Sequence, residues 1–327
     1  MSVKKVAILT SGGDSPGMNA GVRAFVKTAL YHHIEAFGIR NGYDGLIQGD
    51  IQPMGYDEVA NIIQQGGTIL GSSRSEEFRT QAGRAKAYQQ LESRGIDALV
   101  VIGGDGSFKG AEILATEFPA LKVIVLPGTI DNDIAGTDYT IGYDTALNTI
   151  IDAVDKIRDT ANSHHRVFFI EVMGRDTGFL ALHSALAAGA DDVLIPETHT
   201  NLEEVANTIK TQYKGKRSAI IIVAEGDDAG GSGDVVAKMK SLLPKHELRS
   251  TVLGHMQRGG KPSYFDRYLA TALGAESVLQ LLKGNNRIFI GYQDNKIVVH
   301  SIADIIDKKR EISAEANTLL KHMYNQH

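Results

Sequence analysis

Along this chain, short apolar runs stop abruptly in glycine and charge, and stretches with a helical period fall between them. Lys5-Val6-Ala7-Ile8-Leu9, Ala36-Phe37-Gly38-Ile39, Ala98-Leu99-Val100-Val101-Ile102, Val123-Ile124-Val125-Leu126, residues 167–172 and residues 219–223 are nearly continuous in apolar residues. Strands buried on both faces read this way. Shorter runs at about 250–253 and 296–299 predict two further strands. After Pro16, Val22, Phe25, Val26, Ala29 and Leu30 recur at the i, i+3, i+4, i+7, i+8 spacing of one buried helix face. Leu147, Ile150, Ile151, Val154 and Ile157 repeat the pattern. Helices are also predicted over 56–65, over 83–94 with Gly95 as its stop, from Phe108 onward, and over about 266–283; residues 41–45 read as a loop. Strands alternating with helices predict mostly parallel, helix-covered sheets. The expected fold class is α/β, two doubly wound lobes, with no repeat, low-complexity tract or linker to mark their border.

The chain has 327 residues, enough for two domains or one large one. Apolar residues make up 43% and charged residues 22%, with a net charge of −5. Both signs are spread along the chain, so no basic stripe argues for nucleic acid. The absence of cysteine excludes disulfides, thiolate metal ligands and a cysteine nucleophile, and fits a reducing compartment. No apolar run approaches the ~20 residues of a membrane span, and no signal-peptide core precedes the first strand. The expectation is a soluble cytoplasmic enzyme with no membrane partner.

Chemistry collects where the apolar runs end. Pro127-Gly128-Thr129-Ile130-Asp131-Asn132-Asp133 follows one of them. If this segment stays extended, its two acids at i and i+2 face the same way, toward the crevice beyond the strand ends where open α/β sheets bind ligands. A plain surface turn is the alternative. Other runs end in Thr10-Ser11-Gly12-Gly13-Asp14, Gly103-Gly104-Asp105-Gly106-Ser107, Met173-Gly174-Arg175, Ala224-Glu225-Gly226 and Gly254-His255-Met256-Gln257-Arg258. Glycine lets backbone amides approach a ligand, and a helix starting after such a turn favours phosphate. Asp105 is a hard oxygen ligand suited to Mg²⁺ beside bound phosphates. No Walker loop and no G-x-G-x-x-G in the first βα unit is present, which argues against a P-loop enzyme or an ordinary dehydrogenase. Arg23 and Lys27, four apart on one helix, mark either a solvated face or an anion site. His32-His33 and His164-His165 read as surface pairs without a metal role.

Gly103–Ser107, Pro127–Asp133, Met173-Gly174-Arg175 and Gly254–Gly260, with Thr10–Ala20 and Thr137–Asp144, resemble the bacterial ATP-dependent 6-phosphofructokinases over nearly the whole chain. Gly-Gly-Asp-Gly alone also occurs in NAD kinases and diacylglycerol kinases, but the motifs in this order are specific. The resemblance implies the phosphofructokinase fold and transfer of the γ-phosphoryl of Mg·ATP to the 1-hydroxyl of fructose 6-phosphate. Asp131 matches the base; an ordinary aspartate, pKa ~3.9, is ionised at neutral pH. Thr129 and Arg175 match the other catalytic positions. Gly13, Arg74, Ser75, Gly104, Asp105, Gly106 and Ser107 match the nucleotide site, with Asp105 next to the metal. Ile130, Met173, Gly174, Glu225, His255 and Arg258 join Thr129, Asp131 and Arg175 around fructose 6-phosphate. Arg166 and Arg249 match arginines that reach the 6-phosphate from a neighbouring subunit, and the family is a homotetramer.

The resemblance also implies an effector site for ADP and phosphoenolpyruvate at Arg23, Lys27, Arg158, Gly189, Asp191, Lys214 and Lys216. Here Lys27 stands where arginine is usual, Tyr56 where another arginine is expected and Asn61 at an aspartate position. Arginine to lysine loses the bidentate fork, so weakened effector binding is expected. Related pyrophosphate-dependent enzymes carry an acid at the position of Gly106 and a lysine at that of Gly128; both glycines here are of the ATP type. A non-catalytic sensing subunit would have lost Asp131, Asp105 or Arg175. By analogy, residues 1–142 plus about 257–307 form a larger ATP-binding domain, and about 143–256 plus 308–327 a smaller sugar-phosphate-binding one.

Overall fold

The computed structural model describes residues 3–212 and 218–324. In chain order, β1 (Lys5–Thr10), α1 (Met18–Tyr31), β2 (Glu35–Ile39), α2 (Gly42–Gln48), β3 (Ile51–Pro53), α3 (Gln81–Ser93), β4 (Ala98–Gly103), α4 (Asp105–Glu117) and β5 (Lys122–Pro127) come first. Then follow α5 (Tyr143–His164), β6 (Val167–Val172), α6 (Phe179–Ala188), β7 (Asp192–Leu194), α7 (Leu202–Gln212), β8 (Ala219–Ala224), α8 (Ser232–Leu242) and β9 (Leu248–Val252). The last elements are α9 (Tyr264–Leu282), β10 (Ile288–Gln293), β11 (Lys296–Ser301), α10 (Ile302–Ile305) and α11 (Ala314–Tyr324). Two compact units result. One comprises Met1–Ile130, Ile134–Thr145 and Arg258–Arg310; the other comprises Asp131–Asp133, Ala146–Gln257 and Glu311–His327. No helix among the described residues is long and apolar enough to cross a membrane.

The first unit is built on a seven-stranded sheet in the order β11-β10-β5-β4-β1-β2-β3, antiparallel only at its two edges. Its inner strands are apolar on both faces because both faces are covered. Val6, Ile8, Val100, Ile102, Ile124 and Leu126 pack into one core with Met18, Val22 and Phe25 of α1 and Leu269 and Leu273 of α9. The alternate residues Ala7, Leu9, Leu99, Val101, Val123 and Val125 pack into the other with Leu46, Leu91, Phe108 and Leu114. Thr10 lies opposite Ile102, and Gly103 opposite Pro127, so β1, β4 and β5 finish side by side. The chain leaves β1 toward β2 on one side and β4 on the other, which makes this the switch point of the sheet.

The second unit holds a fully parallel four-stranded sheet in the order β7-β8-β6-β9. Val167, Phe169, Ala219, Ile221 and Val223 face a core completed by Val205, Ile209, Val235 and Met239 of α7 and α8. Ile170, Ile220 and Ile222 on the opposite face are also fully buried, where α6 packs against β8.

Several expectations need correction. Residues 56–65 form turns rather than a helix; Val59 and Ile62 are buried at helical spacing, but Asn61 adopts φ 54° and breaks the period. Residues 41–45 are not a loop but open α2. Gly45 lies within that helix and must be glycine, since a side chain would begin 1.7 Å from the Arg40 carbonyl oxygen. The helix expected from Phe108 begins at Asp105, so Asp105 and Gly106 of the glycine run stand in its first turn. The strand expected at 250–253 occupies Leu248–Val252. Arrest of α3 by Gly95 holds: Gly95 N donates to Glu92 O at 2.9 Å and Ile96 N to Leu91 O at 3.0 Å, a Schellman closure.

Asp266, fully buried in the first turn of α9, meets the amino end of α5. Its carboxylate accepts from Gly142 N at 2.8 Å, Thr145 N at 2.8 Å and Thr145 Oγ1 at 2.6 Å. A helix start leaves such amides without intrahelical partners. Burial nevertheless pushes the carboxyl up to about 6, against the opposing pull of the bonds from Thr145 and Gly142. A carboxyl whose folded pKa exceeds its unfolded value of 3.8 stabilises the fold below that value, and the contribution is lost as pH rises through about 6. Urea unfolding of wild type and Asp266→Asn at pH 4 and pH 7 is therefore expected to shift by about 2–3 kcal/mol in the variant's favour as pH rises, at ~1.4 kcal/mol per pKa unit.

Candidate active site

The turns after β1 and β4 meet at the switch point. Ser107 Oγ donates to Ser11 Oγ at 2.9 Å, and Ser11 N donates to Ile102 O at 2.9 Å. Glycine is obligatory at Gly103, because a side chain there would lie 2.7 Å from both Ser107 Oγ and the Ser11 carbonyl. Beyond it, Gly104 caps α4 in extended conformation, and Asp105 and Gly106 stand in the first turn. Amides of a first helical turn have no intrahelical acceptor and favour an anion. Added atoms at Gly106 would meet nothing within 4 Å, so the space above that turn is open. Asp105 pairs with Lys109 at 2.9 Å, and Lys109 in turn with Asp307 at 2.8 Å; the two carboxylates hold the ammonium above its ordinary range.

The strap 71–75 is tied to the turn after β1. Thr10 Oγ1 donates to Gly71 O at 2.7 Å and Ser72 Oγ to Gly12 O at 2.6 Å. A cleft of about 400 Å³ opens between them, lined by Gly12, Gly13, Asp14, Thr68, Gly71, Ser72, Arg74 and Arg258. Gly13 and Arg74 thus line one cleft. Arg258, expected at the sugar phosphate, stands beside Gly13, its guanidinium carbon 3.4 Å from where a side chain would begin. Ser75 is outside that lining, and Ser75 Oγ instead accepts from Phe78 N at 3.2 Å. Tyr43 was not singled out from sequence. It is buried, stacks on Phe78 at 3.8 Å, and donates its hydroxyl to Ser107 O at 2.7 Å. Burial pushes the Tyr43 phenol up, so it remains a donor.

In the second unit, the end of β6 carries Met173, Gly174 and Arg175. Arg175 takes φ 52° and Gly174 φ 139°. Two contacts with the end of β8 hold that bend. Arg175 N donates to Glu225 Oε1 at 2.8 Å, and Gly226 must be glycine because a side chain would begin 1.9 Å from the Arg175 carbonyl oxygen. Met173 N donates to Oε1 of the fully buried Gln257 at 3.1 Å. Gln257 Nε2 donates to Gly254 O at 3.0 Å and closes the turn that carries the exposed His255. Arg175 Nε lies 3.6 Å from Asp131 Oδ2; the Asp131 side chain is 7% exposed and that of Arg175 53%. The segment is not extended as expected: Asn132 adopts φ 55°, and Asp131 is more deeply buried than Asp133. Ile130 is buried and Thr129 half-buried.

Arg166 and Arg249 lie at the other end of this sheet. Arg166 immediately precedes β6, and Arg249 pairs in register with Phe168. Both bind Glu247, Arg166 Nε at 3.0 Å, and hold its carboxyl below the usual carboxylate range. Of the effector residues, Arg158 Nη2 donates to the Ala188 and Gly189 carbonyls at 2.7 and 2.9 Å, closing the end of α6. Asp191 Oδ2 accepts from Ile220 N at 2.7 Å. Arg23 is half-buried on α1, and Lys27 Nζ sits 5.9 Å from the centroid of the Tyr56 ring. Lys214 and Lys216 lie outside the described residues.

A family model described as phosphofructokinase matches residues 5–281. The ATP-dependent 6-phosphofructokinase of Shouchella clausii is 51% identical over 324 residues, 98% of this chain and 99% of that protein. ATP-dependent 6-phosphofructokinase 2 of Bacteroides thetaiotaomicron is 48% identical over 323 residues, again 98% and 99%. The structure of phosphofructokinase from Saccharomyces cerevisiae matches with a TM-score of 0.87 at 39% identity, covering 92% of this chain and 45% of that one. With one family model spanning most of its length and such relatives matched nearly end to end, the chain belongs to the phosphofructokinase family.

Proposed function

We propose that the protein is an ATP-dependent 6-phosphofructokinase, converting fructose 6-phosphate and ATP to fructose 1,6-bisphosphate and ADP in glycolysis. The observation that carries the reading is the buried Asp131 carboxylate held beside Arg175 in a chain of this family. Asp131 takes the proton of the sugar's 1-hydroxyl as that oxygen attacks the γ-phosphorus. The bond from the γ-phosphorus to the β,γ-bridging oxygen breaks, and ADP departs with the electron pair. Arg175 and Thr129 stabilise the charge on the transferring group; positioning and charge stabilisation are most of what phosphoryl transfer asks of a protein. Met173, Gly174, Glu225 and His255 hold the sugar, with Thr129 and Ile130 beside Asp131. Gly13, Arg74, Ser75 and Gly104–Ser107 hold the nucleotide, so the first unit is the ATP-binding domain and the second the sugar-phosphate-binding one. Arg258 serves phosphate, and its place against Gly13 fits the nucleotide as well as the sugar.

Among the described residues, no group of three or more His, Cys, Asp or Glu could cage a metal. Asp105 supplies one hard carboxylate at the anion-favouring turn, a donor set that fits Mg²⁺ arriving with the phosphates and keeping its own waters. When bound, Mg²⁺ neutralises phosphate charge; Asp105 would hold it, exchanging its contact with Lys109. The two glycines that bear on the donor are not equivalent. A side chain at Gly128 would begin 2.6 Å from Ile102 Cγ2 and 3.0 Å from Met18 Cε, so packing alone requires glycine there. Gly106 has no such neighbour, and the choice of ATP over pyrophosphate rests on it.

Arg166 and Arg249 stand at the amino ends of their strands, whereas Met173–Arg175 stand at the carboxyl end of β6. A strand of that length at ~3.3 Å per residue separates the two ends by about 20 Å. One chain therefore cannot bring both sets to one phosphate, which supports arginines from a neighbouring copy and so at least a dimer; the homotetramer of the family would supply such a copy. For the effector site, the aromatic face beside Lys27 and the carbonyls that occupy Arg158 support weak binding of ADP and phosphoenolpyruvate.

Initial rates with fructose 6-phosphate and Mg²⁺ should appear with ATP and be absent with pyrophosphate; turnover with pyrophosphate alone would overturn the donor assignment. Gly106→Asp should raise the KM for ATP while leaving the fold intact by circular dichroism. Asp131→Asn should lower kcat by about 100- to 10,000-fold, the span of general base catalysis, with little change in fructose 6-phosphate binding. Millimolar phosphoenolpyruvate should leave the fructose 6-phosphate saturation curve nearly unmoved, and a large rightward shift would refute the weakened effector site.

A further inference from the structure

Residues 137–142 run beside the catalytic turn as a short brace, anchored at both ends. At its start, Asp138 N donates to Tyr292 O at 2.7 Å, Tyr292 N donates to Thr137 Oγ1 at 3.0 Å, and Arg310 Nη1 donates to Asp138 O at 2.6 Å. At its finish, Gly142 N donates to the buried Asp266. Between these anchors, Ile141 pairs in parallel with Gly128, and Ile141 N donates to Pro127 O at 2.8 Å. The fully buried Thr140 sends its hydroxyl to the Thr129 carbonyl at 2.6 Å. On its other side the turn is held to β4 by Gly128 N donating to Gly103 O at 2.8 Å. Thr129 also packs toward the nucleotide turn, its Cβ 3.9 Å from where a side chain at Gly104 would begin.

We infer that Thr140 is a positioning residue for the transfer step, fixing the Thr129 peptide through this hydrogen bond so that the Thr129 side chain keeps its place beside Gly104. The inference rests on the proposed catalytic role of Thr129. Thr129 lies two residues beyond the end of β5, where the Thr140 hydroxyl adds a side-chain bond to the pairing of Ile141 with Gly128 and Pro127. Thr140 need not touch either substrate. Its loss should therefore appear in turnover rather than in nucleotide binding.

The experiment compares Thr140→Val, which keeps the shape and removes the donor, with Thr140→Ser, which keeps the donor. ATP-dependent turnover of fructose 6-phosphate, KM for ATP and thermal unfolding are measured for each. Thr140→Val should lower kcat about 10- to 100-fold, the scale of a small misplacement near the reacting groups, with KM for ATP within about twofold, and Thr140→Ser should restore most of kcat. A folded Thr140→Val with wild-type kcat, or a Thr140→Ser as impaired as Thr140→Val, would overturn the inference. If Thr140→Val is insoluble, Thr140→Ala against Thr140→Ser repeats the comparison; insolubility of both donor-free variants would assign the hydroxyl to stability and also overturn it. Thr129→Val separates the two readings. Unchanged turnover there removes the role of Thr129 itself, whereas impaired Thr129→Val with normal Thr140→Val removes only the role of the brace.

Discussion

Backbone passing backbone at contact distance is the constraint on which the larger unit depends. The turns that end β1, β4 and β5 lie side by side, and they can do so only where Cβ atoms are missing. Gly103 sits against the Ser11 carbonyl, and Gly128 against Ile102 and Met18. The turn amides are bound within this crowding, Ser11 N to Ile102 O and Gly128 N to Gly103 O. The serine pair Ser11–Ser107 and the buried Tyr43 hydroxyl then hold the turns in mutual position.

The smaller unit solves a related problem with different means. Arg175 must leave the end of β6 at an angle that ordinary residues avoid, and it does so at positive φ. Such a conformation persists only when its surroundings over-determine it. Glu225 and Gly226 do this from β8, one through a hydrogen bond to the Arg175 amide and the other through the absence of a side chain under its carbonyl. The guanidinium that faces Asp131 is thus aimed by the backbone before any ligand arrives.

The inner strands were legible because burial on both faces leaves uninterrupted apolar runs, and the ligand-facing turns were legible because glycine and charge interrupt those runs. Elements with weaker signatures escaped. The helix α6 is mostly apolar, so no period marks it, and β10 is joined to β11 by an Asp294-Asn295 turn at positive φ, a hairpin turn without the glycine that marks one in sequence. Residues 56–65 misled for the opposite reason, having the spacing of a helix without its backbone. Among the candidate residues, Asp131, Arg175 and Gly104–Ser107 could be singled out from their motifs. Tyr43, Gln257, Gly226 and Thr140 act through a peptide group elsewhere in the chain, and a sequence does not reveal which carbonyl a hydroxyl will reach.

The two units interleave along the chain. Asp131–Asp133 leaves the first for three residues, Ala146 leaves it again, Arg258 returns to it, and Glu311 departs once more. Neither unit corresponds to one continuous stretch of coding sequence. A recombination event with a single crossover cannot transplant either unit whole, and a chain emerging from the ribosome cannot complete the seven-stranded sheet until residues beyond the entire four-stranded sheet have been made. The two units are therefore bound to be inherited together.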